Sequence, residues 1–174
     1  MKQLGSRLCS LLTFLIFFSD CNSLKKTKTT EMYPITGYHA LADLKSSKSY
    51  DWLNNASGKY QSRDSVIQKL RVLAKENEGI TFLSFVATWC TDTHLLLPQF
   101  ETLIEQLQLS EGVTQYYFLD LNKKSPEGLE RKYKIEYVPT FIVLQNGKEL
   151  GRIVEKIKQP IEEEVLSILV AGIK

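Results

Sequence analysis

Cys90 stands in the segment ATWCTDTH, residues 87–94, where an apolar run gives way to polar residues and then to a helical pattern. A thiol at the start of a helix lies near backbone amides that have no intrahelical acceptor and near the positive end of the helix dipole. Both favour the thiolate, which is the nucleophilic form. Thr93, three residues on, is expected to donate its hydroxyl to the sulfur and support the same ionised form. Asp92 opposes ionisation if it points at the sulfur, or accepts a proton from the loop. A threonine hydroxyl cannot perform thiol exchange, so a sulfur captured by Cys90 is not released by Thr93. Release requires an external thiol, a second cysteine of the captured molecule, or a partner protein.

The flanking elements follow from hydrophobic periodicity. Val66, Ile67, Leu70, Leu73 and Ala74 recur at helical spacing after a cap at Asp64 or Ser65, until Gly79 ends the helix. ITFLSFVA, residues 80–87, is an apolar run of strand length, as expected of a central strand buried on both faces. After Cys90, residues Leu96, Phe100, Leu103, Ile104 and Leu107 mark one face of a second helix, which Pro98 should kink near residues 95–98. A strand is expected over 114–122 and a short helix over 126–133. FIVLQNGKELGRIVE should form a hairpin that turns at Asn146 and Gly147, and Pro160 should open a last amphipathic helix carrying Ile161, Val165, Ile168 and Leu169. In residues 32–63, Tyr33, Tyr38, Leu41, Leu44, Tyr50, Trp52 and Leu53 predict an extension that packs on the body, with a helical turn around 50–55.

The chain has 174 residues, 43% of them apolar and 24% charged, with a formal charge of +2. That suits one core; the basic residues are too dispersed for a nucleic-acid face. Lys2 and Arg7 precede an apolar run over residues 8–18 that is too short to span a bilayer, the pattern of an export signal. Cys21 follows FFSD in a place that resembles the lipobox of bacterial lipoproteins, although Asp20 departs from it. The expected organisation is a signal over 1–21 with lipidation at Cys21, a flexible linker over 22–31, the extension over 32–63 and a folded domain over 64–174. Of the three cysteines only Cys90 then remains in the body, which excludes an internal disulfide and a four-ligand structural zinc site.

FVATWCTDTHLLLP and YVPTFIVLQNGKELG together resemble the thioredoxin superfamily over about residues 64–174. The shared features are WC after a buried strand, a proline eight residues beyond the cysteine, and VPT opening a hairpin whose turn is NG. The resemblance implies an α/β thioredoxin-like fold, a central mixed β-sheet flanked by helices. It implies Cys90 as nucleophile, Trp89 as a flat wall beside it, and a cis Pro139 facing it. Val138, Pro139 and Thr140 would then form the loop on which an extended substrate docks by strand addition. The chain departs from the family pattern at Thr93, at Ser84, where a buried acid is expected, and around Val154 and Glu155, where a glycine is expected. In its WCTDT motif it is similar to a divergent bacterial group of thioredoxin-like proteins in which WCxDS or WCxDT replaces WCxxC.

Two functions fit. One is a monothiol oxidoreductase exchanging with a protein thiol or disulfide substrate, with an external thiol as resolving partner. The other is a noncatalytic module that holds a peptide or captures a thiol protein. Neither needs a cofactor. The remaining partner is a membrane surface, reached through a lipid on Cys21. A metal at Cys90 and His94 is set aside, because two ligands four residues apart do not complete a site, and His94 is expected to be a solvated helix residue. His39 is expected on a loop or surface. A peroxidase would need TxxC, which is absent.

Overall fold

The computed structural model describes residues 34–57, 59–110 and 112–173. The expected signal over 1–21, the Cys21 lipid site and the linker over 22–31 lie outside them. In chain order the elements are β1 (Gly37–Tyr38), α1 (Leu41–Lys45), a 3-10 turn (Lys48–Tyr50), α2 (Asp51–Ser57), α3 (Asp64–Glu76), β2 (Ile80–Val86) and α4 (Thr91–Leu107). They continue with β3 (Thr114–Phe118), α5 (Leu129–Lys132), β4 (Thr140–Gln145), β5 (Lys148–Val154) and α6 (Ile161–Gly172).

The five strands form one mixed sheet in the order β1-β3-β2-β4-β5. Only β2 and β3 are parallel, and α4 is the crossover that joining them requires. β2 is apolar nearly throughout because both of its faces are covered. Phe82 and Val86 enter the larger core with residues of α3, α4 and α6, whereas Leu83 and Phe85 enter a smaller core beneath Leu129, Tyr133 and Ile135. β4 divides the same way, with Phe141 and Val143 on the first face and Ile142 and Leu144 on the second. Phe141 stacks on Phe100 of α4 at 4.3 Å between ring centres, fixing that helix to the sheet.

Several expected boundaries move for local reasons. Helix α3 begins at Asp64 with Arg63 at the cap position, so Asp64 lies in the first turn; the Arg63 amide donates to Glu162 (3.0 Å) instead of to a capping side chain. The strand expected over 114–122 ends at Phe118, because the Asp120 carboxylate accepts from the amides of Asn122 and Lys124 (both 2.8 Å) and turns the chain. The helix expected over 126–133 shortens to α5, which starts after Gly128 at φ +66°. Pro160 is the cap of α6 rather than its first residue. Helix α4 continues through Pro98, whose missing N–H leaves the His94 carbonyl without its helical donor. The hairpin turn is as expected, with Asn146 and Gly147 both at positive φ.

Residues 34–57 build more than the expected single turn. β1 adds to the sheet edge beside β3, α1 and α2 follow, and Leu41, Leu44 and Leu53 are buried in the larger core. A polar cluster around the buried Tyr116 ties α1 to the body. The Tyr116 hydroxyl donates to Glu101 (2.5 Å), and the Lys45 ammonium reaches Glu101 (3.1 Å) and Glu105 (2.6 Å). Burial, then the charge of Glu101, push the Tyr116 phenol far above the usual tyrosine range; burial and Glu162 raise Tyr60 in the same direction. The folded state thus holds protons that the unfolded chain releases above about pH 10. This contribution is fully present below that pH and is lost as pH rises beyond it. Urea midpoints should therefore be level between pH 8 and 9.5 and fall above pH 10. Tyr116→Phe should lower the neutral midpoint by the equivalent of about 1–2 kcal/mol and flatten the alkaline decline.

Candidate functional site

Cys90 is the cap residue of α4, with extended backbone and no side-chain capping bond of its own. The amides of Thr91, Asp92 and Thr93 therefore begin the helix without intrahelical acceptors close to the sulfur. The first helical bond runs from the His94 amide to the Cys90 carbonyl (3.2 Å). Cys90 is half-buried against the smaller core, and its thiol donates to the Val138 carbonyl at 3.2 Å.

The loop before Cys90 is held residue by residue. The Ala87 amide donates to the Thr93 hydroxyl oxygen (3.3 Å), and the Ala87 carbonyl accepts from the Cys90 amide (3.1 Å). The Thr88 carbonyl accepts from His94 Nε2 at 2.7 Å. The Trp89 indole donates to the Leu119 carbonyl (3.0 Å), which leaves its ring 37% exposed beside the thiol.

On the other side, the Val138–Pro139 peptide is cis, and both residues are buried. The Pro139 carbonyl accepts from the Glu155 amide (2.9 Å), and among the described residues the Val138 amide makes no hydrogen bond. Val138 thus presents an unpaired backbone donor next to the carbonyl that holds the thiol. Glu155 adopts φ +48°, a left-handed backbone that costs a residue with a Cβ about 1–2 kcal/mol relative to glycine. This is the stretch where a glycine was expected.

Two residues behave differently from expectation. Thr93 is fully buried and its oxygen turns back to Ala87; no hydrogen bond joins it to the Cys90 sulfur, because the side chain points under the loop and not towards its mouth. Thr140 is buried and donates to the Tyr137 carbonyl (2.7 Å), so its hydroxyl is spent within the loop around Pro139. Asp92 lies in the first turn of α4, half-buried, where the helix dipole favours its charge, and no hydrogen bond connects it to the sulfur. Ser84 is fully buried with its hydroxyl unpaired, and a serine offers no carboxylate to take a proton. Among the described residues no group of three or more ligating side chains could hold a metal.

Other contributors were not singled out from the sequence. Lys123 donates to the Glu136 carbonyl (2.6 Å) and lies 5.1 Å above the Tyr137 ring, linking the loop after β3 to the loop before Pro139. Leu121, Tyr137, Trp89 and Val154 are large apolar side chains left exposed. His94 is not solvated as expected: it is half-buried and stacked on Trp52 of α2 at 4.1 Å. His39 lies on the loop between β1 and α1, as expected, half-buried and edge-on to Phe118. In the sequence Trp52 stands with Tyr50 and Leu53 among the apolar residues that predict packing on the body, and nothing local pairs it with His94.

The Thioredoxin family model matches residues 61–167, more than half of the chain. Thioredoxin H9 of Arabidopsis thaliana is 29% identical over 96 residues, which cover 55% of this chain and 64% of that protein. Thioredoxin AMT13 of Alternaria alternata is 25% identical over 117 residues, covering 64% of this chain and 94% of that one. Among solved structures, the reduced thioredoxin pre-protein of Schistosoma mansoni is similar, with 25% identity and a TM-score of 0.39, covering 61% of this chain and 90% of that one.

Proposed function

We propose, from the premise that this chain belongs to the thioredoxin family, that it performs monothiol thiol–disulfide exchange through Cys90. The observation that carries this reading is the pairing of one half-buried thiol at the start of α4 with a fully buried threonine three residues on. The Cys90 thiol loses its proton and attacks one sulfur of a substrate disulfide. The substrate S–S bond breaks, a Cys90–substrate disulfide forms, and the second substrate sulfur leaves as a thiolate. An external thiolate, or a further cysteine thiolate of the substrate, then attacks the substrate sulfur of the mixed disulfide, forms a new disulfide with it and returns Cys90 as a thiolate. No oxidant or reductant beyond these sulfurs enters.

In the docking step the Val138 amide, unpaired among the described residues, donates to a carbonyl of an extended peptide that adds as a strand, while Trp89 and Tyr137 offer apolar surface. The test is whether reduction of a protein disulfide rises in proportion to supplied small thiol and vanishes in Cys90→Ser. Partners trapped on Cys90 that small thiol fails to release would favour the noncatalytic binding module instead.

The domain is placed, in this proposal, on the periplasmic side of a bacterial membrane, exported by the segment over 1–21 and tethered by a lipid on Cys21, with 22–31 as spacer. The supporting pattern is the basic start, the short apolar run and the cysteine just beyond it. Mass spectrometry of the mature protein should find a new N-terminus at Cys21 carrying acyl mass. An unmodified Cys21 thiol in the mature chain would refute it.

A further inference from the structure

We infer that Trp52 and His94 act together as positioning residues for Cys90, which makes residues 34–57 a working part of the site. The inference rests on the exchange chemistry proposed above. Trp52 lies outside the span matched by the family model, on α2, yet its indole stacks on the His94 imidazole at 4.1 Å with the planes 19° apart. His94 belongs to the first turns of α4, and its Nε2 lies 2.7 Å from the Thr88 carbonyl. A carbonyl only accepts, so Nε2 carries the hydrogen and donates it.

Thr88 is two residues before Cys90. Of the bonds that hold residues 87–90, this one alone is made by a side chain whose orientation is set from the N-terminal extension. The Ala87–Thr93, Ala87–Cys90 and Trp89–Leu119 bonds all lie within the family-matched span. An imidazole on a helix surface otherwise rotates about two bonds, and the stack restricts it to the rotamer that meets Thr88. The indole nitrogen of Trp52 is buried without a hydrogen-bond partner. That carries a cost of about 1–3 kcal/mol, so what Trp52 contributes is its ring face and not its donor. The stack holds the imidazole, the imidazole holds the Thr88 carbonyl, and the carbonyl sets how the loop delivers the sulfur to the α4 amides and to Val138.

The readout is the rate at which iodoacetamide alkylates Cys90, which does not depend on any disulfide turnover and so stands even if the exchange reading fails. Trp52→Ala and His94→Ala should each slow alkylation about three- to tenfold. The double variant should be no slower than the slower single one, because both break one chain of contacts. Trp52→Phe, which keeps a stacking face and removes the orphan donor, should retain the wild-type rate. His94→Gln, which keeps a donor, should recover most of it. Leu95→Ala, on the exposed side of the same turn, should change nothing. Should Trp52→Ala fail to fold, His94→Leu decides: it keeps apolar contact with Trp52 but has no donor, so it must slow alkylation. A wild-type rate in folded Trp52→Ala or His94→Leu overturns the inference, as do losses that multiply in the double variant.

Discussion

Cys90→Ser should bring reduction of a protein disulfide down to the uncatalysed rate, a loss of at least about 10³-fold, with little change in stability. A serine hydroxyl at neutral pH is neither ionised nor able to form a disulfide, so the attacking step disappears rather than slowing. The fold should hold because serine can make the same hydrogen bond to the Val138 carbonyl that the thiol makes at 3.2 Å, and Cys90 is only half-buried. A midpoint within about 0.5–1 kcal/mol of wild type is expected. The wild-type protein has its own signature. Without added thiol it should release one equivalent of substrate thiol and stop as the mixed disulfide. With added thiol it should turn over at a rate first order in that thiol. Multiple turnover without added thiol, from a substrate lacking a second cysteine, would show that release does not depend on an outside sulfur. Activity surviving in Cys90→Ser would remove Cys90 from the chemistry altogether.

What the sequence conveyed about this site depended on how local each contact is. β2 is legible because a strand covered on both faces, with six of its seven residues buried, leaves a nearly continuous apolar run, and the hairpin because Asn146 and Gly147 both need positive φ. Cys90 at the head of α4 was legible because a change from strand to helix periodicity falls on it. β1 was not: two residues, one of them glycine at φ +90°, are too few to alternate. α1 starts after Ala40, which has no side-chain oxygen to announce a cap. The direction of the Thr93 hydroxyl was misread because spacing places Thr93 near Cys90 but does not say that the Ala87 amide lies closer to its oxygen. The His94 stack joins residues 42 positions apart in sequence, and no periodicity within either segment registers such a pair.

That inward direction of Thr93 makes Thr93→Cys the most demanding test of the one-thiol mechanism. The position is fully buried, three residues from Cys90 and therefore on the same helical face. A thiol introduced there removes a methyl group and exchanges a good acceptor for the Ala87 amide for a weak one, costing about 1–2 kcal/mol. In return, attack on the mixed disulfide becomes intramolecular. Effective concentrations for held reactants lie far above the millimolar range of an added thiol, so the lifetime of the mixed disulfide should shorten by at least about 10²-fold and lose its dependence on added thiol. Asp92→Cys places a sulfur two residues on, facing away, and should leave that lifetime unchanged. Ser84 supplies no carboxylate beneath the loop, so the introduced thiol must give its proton to solvent. Release should consequently quicken close to tenfold per pH unit until pH approaches the ordinary thiol range near 8.5. Ser84→Asp added to Thr93→Cys should weaken that pH dependence by giving the proton an acceptor. If Thr93→Cys still waits for external thiol at every pH, then the buried orientation of residue 93, and not merely its oxygen, is what confines this site to a single working sulfur.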